Sequence, residues 1–494
     1  MAGGGGLRLC AATGTRAGRM IIGRRAALGA LAGLPALAAA RRASAQDATT
    51  ALRDLAQRAT VYLFPIYEMY RARWRATVDE TNPQRQRLNR FRNVQSPADP
   101  EAGVVATQDA NTLYSSAWLD LALEPLFLTV PPIGDLDCSY AFIDLFSDTF
   151  LLVRPRPKAV GLVTHMLVAP TWAGDAPSDV TLVRAPTPSV WLLGRILVDG
   201  PEELDRVRIL QNRVLLETPD MRNERRILEI GELMRFRTQA PPEPVADWPA
   251  AHPDDPLDLF DIGLRALGES PLPERDRPLF ELLAPLKLKP GRKFDRRAFG
   301  EPELRAIRAG IAQGHAEIRR AAGRGRTIDG WTYSQPRIGN FGDDYLSRAA
   351  SALTGLGAPL SAEEVDVSCA VDADRRPLHG AQRYVLTFPA DRLPPTRAFW
   401  SLSAYEVTPD GRTRFVENPI DRHAIGDRTA GLVRGADGSL SLYIQRDPPP
   451  GEHAANWLPA PAGPMRLMLR AHQAGESLIA GGYRVPPVRR NSFP

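Results

Sequence analysis

Apolar and polar residues alternate with a period of two through many short runs of the chain and with a period near 3.6 through a few longer ones. Between residues 51 and 79, Leu52, Leu55, Ala59, Tyr62, Ile66, Met69, Trp74 and Val78 recur at helical spacing, so the stretch predicts a helix. Pro65 predicts a bend or split in it, because an interior proline costs about 3 kcal/mol. From Asn89 the pattern changes to turns and strands. In SYAFIDLFSDTF, Tyr140, Phe142, Asp144 and Phe146 fall on one face and Ala141, Ile143 and Leu145 on the other. Trp118, Asp120 and Ala122 alternate in the same way with Leu119, Leu121 and Leu123. HMLVAP and SVWLLGRILVDG predict buried strands, and a helix is predicted from Pro201. After APPEP (240–244), a plausible boundary, residues 254–323 turn helical, with Leu304, Ile307, Ile311 and Ile318 in one apolar stripe beside His315.

The last third returns to alternation. RYVLTF and FWSLSAYEV each read as strands, Asp410-Gly411 offers a hairpin turn, and Asp437-Gly438 opens SLSLYIQ. Met465, Leu467 and Leu469 then oppose Arg466 and Arg470. Short strands joined by tight turns, together with 45 prolines and 40 glycines, predict antiparallel sandwiches or a jelly roll.

At 494 residues the chain exceeds one ordinary core, since domains run to roughly 100–200 residues. Its 44% hydrophobic and 24% charged content is that of a globular protein. The net charge of +5 comes from the N-terminus, where Arg8, Arg16, Arg19, Arg24, Arg25, Arg41 and Arg42 occur with no acid. Without them 55 basic residues face 57 acidic ones, and no footprint for nucleic acid remains. Arg24-Arg25, the mild apolar run Ala26–Ala40 and the small-residue site Ala43-Ser44-Ala45 before Gln46 resemble a twin-arginine export signal. That reading predicts handling by the twin-arginine export machinery, cleavage between Ala45 and Gln46, and a periplasmic or secreted product. The run is shorter than the roughly 20 residues of a membrane span, so no stable span is expected after cleavage. Translation starts at Met1 or Met20. Beyond the presequence remain Cys138 and Cys369, which either form one disulfide or stay as two buried thiols.

Several segments carry a resemblance. GWTYSQPRIGNFGDDYLSRAASALTGLGA, PLHGAQRYVLTFPADRLPPTRAFWSLSAYE, ENPIDRHAIGDRT, DGSLSLYIQ and NWLPAPAGPMRLMLR resemble the domain-of-unknown-function family 1214. NTLYSSAWLDLALEP and the strand after it resemble its N-terminal companion, family 1254. The resemblance covers most of residues 52–490. It implies a mainly β chain with α elements: an immunoglobulin-like antiparallel sandwich, a helical insertion and a jelly-roll-like sandwich, with no established activity. The corresponding division is a signal peptide over 1–45, a helix and sandwich over 46–240, a linker and helical insertion over 241–330, and a jelly-roll-like domain over 331–494. The chain keeps Asn111, Tyr114 and Trp118 of the companion pattern but has Ser147-Asp148 and Arg422-His423 where other residues are usual.

The common catalytic motifs are missing: HExxH, paired CxxC, the GxxxxGK[ST] loop, the GxSxG elbow and GxGxxG after a strand. The seven histidines show no metal-ligand spacing, so no metal site is predicted, and no cofactor is assigned. Asp144 among aromatics, Glu406 beside Tyr405, and His423 flanked by Asp421, Arg422 and Asp427 are the acid–base candidates. Neighbouring acids such as Asp343-Asp344 and Glu363-Glu364 read as solvated. Asn111, Tyr114, Tyr405, Asn418, Arg422, Asn456 and Trp457 are the ligand-binding candidates, since amide, guanidinium and aromatic groups suit a small polar molecule, a carboxylate or a glycan. The same residues also read as packing: Asn418 starting a turn before Pro419, Arg422 anchoring a carbonyl, Asn456 capping a loop and Trp457 in the core. Three functions therefore stand open: binding of a small polar or glycan ligand, hydrolysis by a carboxylate/histidine site, and a structural role in the envelope. The oligomeric state is unassigned.

Overall fold

The computed structural model describes residues 24–97, 109–156, 158, 160–198, 200–228, 250–252, 254–323, 325–409 and 413–491, with side chains from residue 46 onward except at 201, 227 and 228. Residues 1–23, the APPEP boundary and the Asp410-Gly411 turn lie outside the described residues, as do the side chains of Arg24, Arg25 and Ala45. Two compact units are present, one ending at Ala51 and the other running from Leu52 to the C-terminus. The sheets and the buried cores all belong to the second.

Helix α1 (Arg24–Thr77) leads into strands β1 (Arg92–Asn93), β2 (Thr112–Asp120), β3 (Leu126–Val130), β4 (Cys138–Ile143) and β5 (Thr149–Val153). Next come β6 (Val163–Val168), β7 (Thr181–Arg184), β8 (Ser189–Leu197), α2 (Leu204–Arg213), β9 (Leu215–Glu217) and α3 (Pro219–Leu228). Helices α4 (Asp258–Leu267), α5 (Arg277–Leu282) and α6 (Glu301–Ala322) precede β10 (Arg326–Ile328), β11 (Trp331–Tyr333) and α7 (Tyr345–Gly355). The remainder comprises β12 (Glu364–Cys369), β13 (Tyr384–Phe388), β14 (Thr396–Val407), β15 (Thr413–Arg414), β16 (Ala424–Gly426), β17 (Leu440–Gln445), β18 (Trp457–Pro459), β19 (Met465–Ala474), α8 (Glu476–Ile479) and β20 (Arg489–Arg490). The protein is thus mainly β, built from largely antiparallel sheets with helices between and beside them.

In the N-terminal part, the sheet β1-β2-β8-β4-β5 faces the sheet β7-β6-β3-β9. Leu113, Ala117, Leu119, Phe142 and Leu192 from the first meet Leu128 and Val130 from the second in a buried core. Alternation turns the intervening residues outward onto a second core shared with the helices, where Tyr114, Trp118, Trp191 and Leu193 pack with α1, α4 and α6. Trp118 and Trp191 are register partners on β2 and β8, and their rings stack at 5.1 Å with planes 7° apart.

The expected stripe of α1 is the one buried: Ala59, Tyr62, Ile66 and Met69 all lie in that core. Of the expected bend or split at Pro65, the split does not occur: the helix runs through it. Its neighbours Tyr62, Leu63, Phe64, Ile66 and Tyr67 are all buried, and at about 1.5–3 kcal/mol per large apolar side chain their burial outweighs the proline penalty. Helix α6 crosses α1 closely through two glycines. A Cβ on Gly310 would lie 2.1 Å from the Arg53 carbonyl oxygen, and one on Gly314 would lie 2.6 Å from Thr60 Cβ.

In the C-terminal part, the sheet β10-β11-β12-β19-β14-β15, with β16 also paired to β14, faces the sheet β18-β17-β13-β20. Val365, Val367, Leu402, Leu467 and Leu469 interleave with Leu386, Leu442, Ile444 and Leu458. Asp437-Gly438 forms the expected turn before β17, with Gly438 at φ +78° and Asp437 Oδ1 accepting from the Ser439 amide. Cys138 and Cys369 belong to different sandwiches, and both are buried free thiols.

Candidate functional site

Alternation on the C-terminal sheet has a second consequence. With Val365 and Val367 turned into the core, Glu364, Asp366 and Ser368 occupy the opposite face of β12. Strand β19 pairs antiparallel with it, setting Glu364 opposite His472, Asp366 opposite Arg470 and Ser368 opposite Met468. Acids of one strand therefore face bases of the next, the pairing that stabilises a sheet face. The third strand, β14, brings Tyr405, whose hydroxyl accepts from Arg470 Nη1 at 2.6 Å.

The N-terminal sandwich closes over this face. Asp109, immediately before β2, lies with Oδ2 3.2 Å from His472 Nε2, while His472 Nδ1 is 3.0 Å from Glu364 Oε2. Asp109 is held in turn by the Asn111 amide at 3.0 Å and the Thr112 hydroxyl at 2.9 Å. On β8, Arg195 donates to the Gly357 carbonyl at 2.6 Å and lies 3.8 Å from Glu363, which also accepts from the Ser139 hydroxyl. Gly357 occupies the left-handed region at φ +77°, and a Cβ there would lie 2.5 Å from the Trp191 ring. Only glycine lets the 355–359 turn lie flat on that indole and offer its carbonyl to Arg195.

Burial alone would lower His472 and raise the acids beside it, but their mutual attraction overrides it. Glu364 and Asp109 push the imidazole up to about 10, so it is an imidazolium at neutral pH. Despite burial, His472 and Arg470 hold Asp109 well below the usual carboxylate range, and His472 lowers Glu364. Arg470 is held well above its ordinary value by Tyr405 and the three carboxyls. Asp366 differs: burial raises it to about 7, Arg470 opposes, and Glu364 and Asp109 add to the rise. Arg470 Nε is shared between Asp366 at 3.4 Å and Glu364 at 3.6 Å. Asp109, Glu364 and His472 are also the set, among the described residues, that could hold a metal ion, their donor atoms lying within 4.8 Å of one another.

Where the N-terminal sandwich, helix α7 and the C-terminal sheet meet, they border a half-open cavity of about 300 Å³. Tyr114 and Arg195 line one side, and Glu364, Asp366, Ser368 and Arg466 line another. Asp366 Oδ1 and Arg195 Nη1 are buried without a hydrogen bond, each beside an ion-pair partner: Arg470 at 3.4 Å and Glu363 at 3.8 Å.

Of the residues singled out from the sequence, Tyr114 lines this cavity, whereas Tyr405 belongs to the charge cluster, hydrogen-bonded to Arg470 and stacked on Phe415 at 4.4 Å. Asn111 adjoins the charge cluster through the hydrogen bond that its backbone amide donates to Asp109. Asp144 does not continue the strand as expected; it opens a turn, its Oδ1 accepting from the amides of Phe146 and Asp148, with Ser147 at φ +65°. A side chain that can bond the backbone two residues on breaks a strand where alternation would continue it. Glu406 pairs with Arg414 across β14 and β15, away from the cavity. The Asn418 and Asn456 loops do meet. Arg422 donates to the carbonyls of Ala455 at 3.1 Å and Trp457 at 2.8 Å, Asn418 bonds the Arg422 backbone, and Asn456 bonds Val433 and Ser441. The Trp457 indole donates to Gln445. His423 lies 3.1 Å from Asp421 and 5.1 Å from the Phe415 ring. These loop groups spend their hydrogen bonds largely on backbone.

Glu363 and Glu364, read as solvated from their adjacency, are both buried. With Asp109, Arg195, Asp366, Arg470 and His472 they form the part of the site that the motifs did not reveal. A signal existed in the alternation of EVDVSC (364–369) and MRLMLRAH (465–472), which carry opposite charges on the non-core face.

The fold and site define a class of protein in which two β-sandwiches with intervening helices share one polar junction. The chain carries a region of each expected family: it matches the protein of unknown function DUF1254 over residues 88–218 and the protein of unknown function DUF1214 over residues 363–476. Asp109, Tyr114 and Arg195 fall in the first region; Glu364, Asp366, Arg470 and His472 fall in the second. Among solved structures, the VPA0106 protein of Vibrio parahaemolyticus matches with a TM-score of 0.68 at 20% identity, over 89% of this chain and 100% of that one. An uncharacterized protein of Burkholderia cenocepacia matches with a TM-score of 0.42 at 13% identity, over 92% and 97% of the two chains. The first of these supports the fold alone. No curated protein matches. No helix among the described residues is long and apolar enough to cross a membrane.

Proposed function

We propose that the protein is exported and binds a small polar molecule, such as a sugar or short glycan unit, in the cavity at the junction of its two family regions. The observation that carries this reading is the polar lining of the cavity, where the Asp366 side chain, 31% exposed, stands with Tyr114, Arg195, Ser368 and Arg466. At about 300 Å³ the cavity is at the small end of ligand sites. The export part rests on Arg24-Arg25, the mild apolar run and the Ala43-Ser44-Ala45 site.

Native mass spectrometry of the protein purified from its own exported fraction tests binding. A retained small molecule, lost in Arg195→Met, is the expected result; a bare mass in repeated preparations overturns the reading. N-terminal sequencing of the same material is expected to begin at Gln46, and a retained presequence argues against export.

A further inference from the structure

We infer that the molecule held in this cavity is a hydroxylated carboxylic acid, such as a sugar acid, and that Arg466 binds its carboxylate; the inference rests on the cavity being a binding site. Among the described residues, the charged side chains that line the cavity are Arg195, Glu364, Asp366 and Arg466. The first three have partners inside the protein. Arg470 Nε lies 3.6 Å from Glu364 and 3.4 Å from Asp366, and His472 Nδ1 lies 3.0 Å from Glu364. Arg195 donates to the Gly357 carbonyl at 2.6 Å and has Glu363 at 3.8 Å. The Arg466 guanidinium has neither a hydrogen-bond nor an ion-pair partner among the described residues. Its charge is the one on this wall that a ligand is left to match.

The sheet sets where that charge stands. Arg466, Met468 and Arg470 alternate onto the non-core face of β19, while Met465, Leu467 and Leu469 enter the core. Across the ladder, Ser368 faces Met468 and Asp366 faces Arg470. Four residues separate Arg466 from Arg470, about 13 Å along a strand, so Arg466 and Asp366 mark opposite ends of this wall. Burial changes along the same line: Arg470 is 2% exposed, whereas Arg466 is only half-buried. An incoming anion therefore meets the cation first, at the end away from the buried acids.

The chemistry of the wall selects the acid. A guanidinium presents two parallel N–H donors that match the two oxygens of a carboxylate. One unmatched cation balances one negative charge; a phosphate dianion would leave a second one facing Glu364 and Asp366. Ser368 and its register partner Thr332 on β11, with Tyr114 opposite, supply hydroxyls for the body of the molecule. A carboxylate on Arg466 with hydroxyls toward Ser368, Thr332 and Asp366 uses each of these groups.

The molecule released from wild type, purified from its own exported fraction, is methyl-esterified. Acid and ester are then titrated by native mass spectrometry onto wild type, Arg466→Gln and Arg466→Lys, each emptied by dialysis. On wild type the ester is expected to bind at least about 10-fold more weakly than the acid, the scale of a hydrogen bond to a charged group. In Arg466→Gln the acid should fall to the affinity of the ester, and in Arg466→Lys, which keeps the charge without the fork, it should lie between. Arg466→Lys carries the comparison alone should the Gln chain not fold. A released molecule that forms no ester, or an acid that binds the variants as tightly as wild type, overturns this inference and leaves binding in the cavity standing. Bare protein in repeated preparations overturns the binding reading and this one together.

Discussion

His472 is a buried imidazolium with a carboxylate at each ring nitrogen, and its loss has a calculable sign. Removing one partner of a buried ion network leaves the others uncompensated, typically at about 3–5 kcal/mol. His472→Gln is therefore expected to destabilise by that order, measured by urea unfolding. The pH dependence follows from proton linkage. The folded imidazole titrates at about 10 against an ordinary 6.5, so the folded state binds the extra proton. Its stabilisation is complete below about 6.5 and disappears as pH rises through about 10. Asp144 and Asp366, raised from 3.8 to about 7, act in the same direction over their own interval. Asp109 and Glu364, both lowered, oppose this only in acid, where their protonation weakens the fold. The melting temperature should therefore fall from about pH 5 to pH 10. In His472→Gln the decline above pH 6.5 should flatten, and an unchanged slope there would refute the assignment.

At the scale of elements, the crossing of α1 and α6 makes a comparable test. Ala at Gly310 would drive a methyl into the Arg53 carbonyl and Ala56 Cβ, rigid neighbours that cannot turn aside. A cost of about 1–3 kcal/mol is expected for Gly310→Ala. Gly323→Ala, whose Cβ would meet nothing closer than 3.7 Å, should change stability by less than about 0.5 kcal/mol. Elements are also the scale at which the sequence is most legible. The stripe of α1, the stripe of α6 and strands such as β13, β14, β17 and β19 follow from periodicity, because each buries one face. Pro65 and Asp144 depart from their sequence pattern since their local preferences are settled by context: burial around the first, backbone amides around the second. The polar junction is largely illegible for a different reason. Charges on the outer face of β12 and β19 look identical whether water or another sandwich covers them, and Asp109, Glu364 and His472 meet only through pairing across more than a hundred residues. The conspicuous asparagine loops, in contrast, come together but turn their polar atoms onto backbone.

For the whole molecule, the two family regions are tied by more than apposition. His472 meets Asp109, Glu363 meets Ser139 and Arg195, Gln473 bonds Asp137 at 2.7 Å, and Arg195 bonds the Gly357 turn. Partners buried in both regions at once cannot separate without exposing charge, so both are expected to unfold in one transition, seen as coincident near- and far-UV circular dichroism melts. Reductant should leave that melt unchanged, since Cys138 and Cys369 are free. Burial pushes both thiols up to about 12, so a thiol reagent at neutral pH should modify them only after unfolding.

The stacked Trp118 and Trp191 have one more implication. Two near-parallel indoles 5.1 Å apart couple their electronic transitions, and the Gly357 turn that rests on Trp191 also lines the cavity. Any occupant that shifts this turn changes the surroundings of one chromophore in the coupled pair. The protein thus contains its own optical gauge, through which filling of the junction can be followed by near-UV dichroism or tryptophan emission without attaching a label.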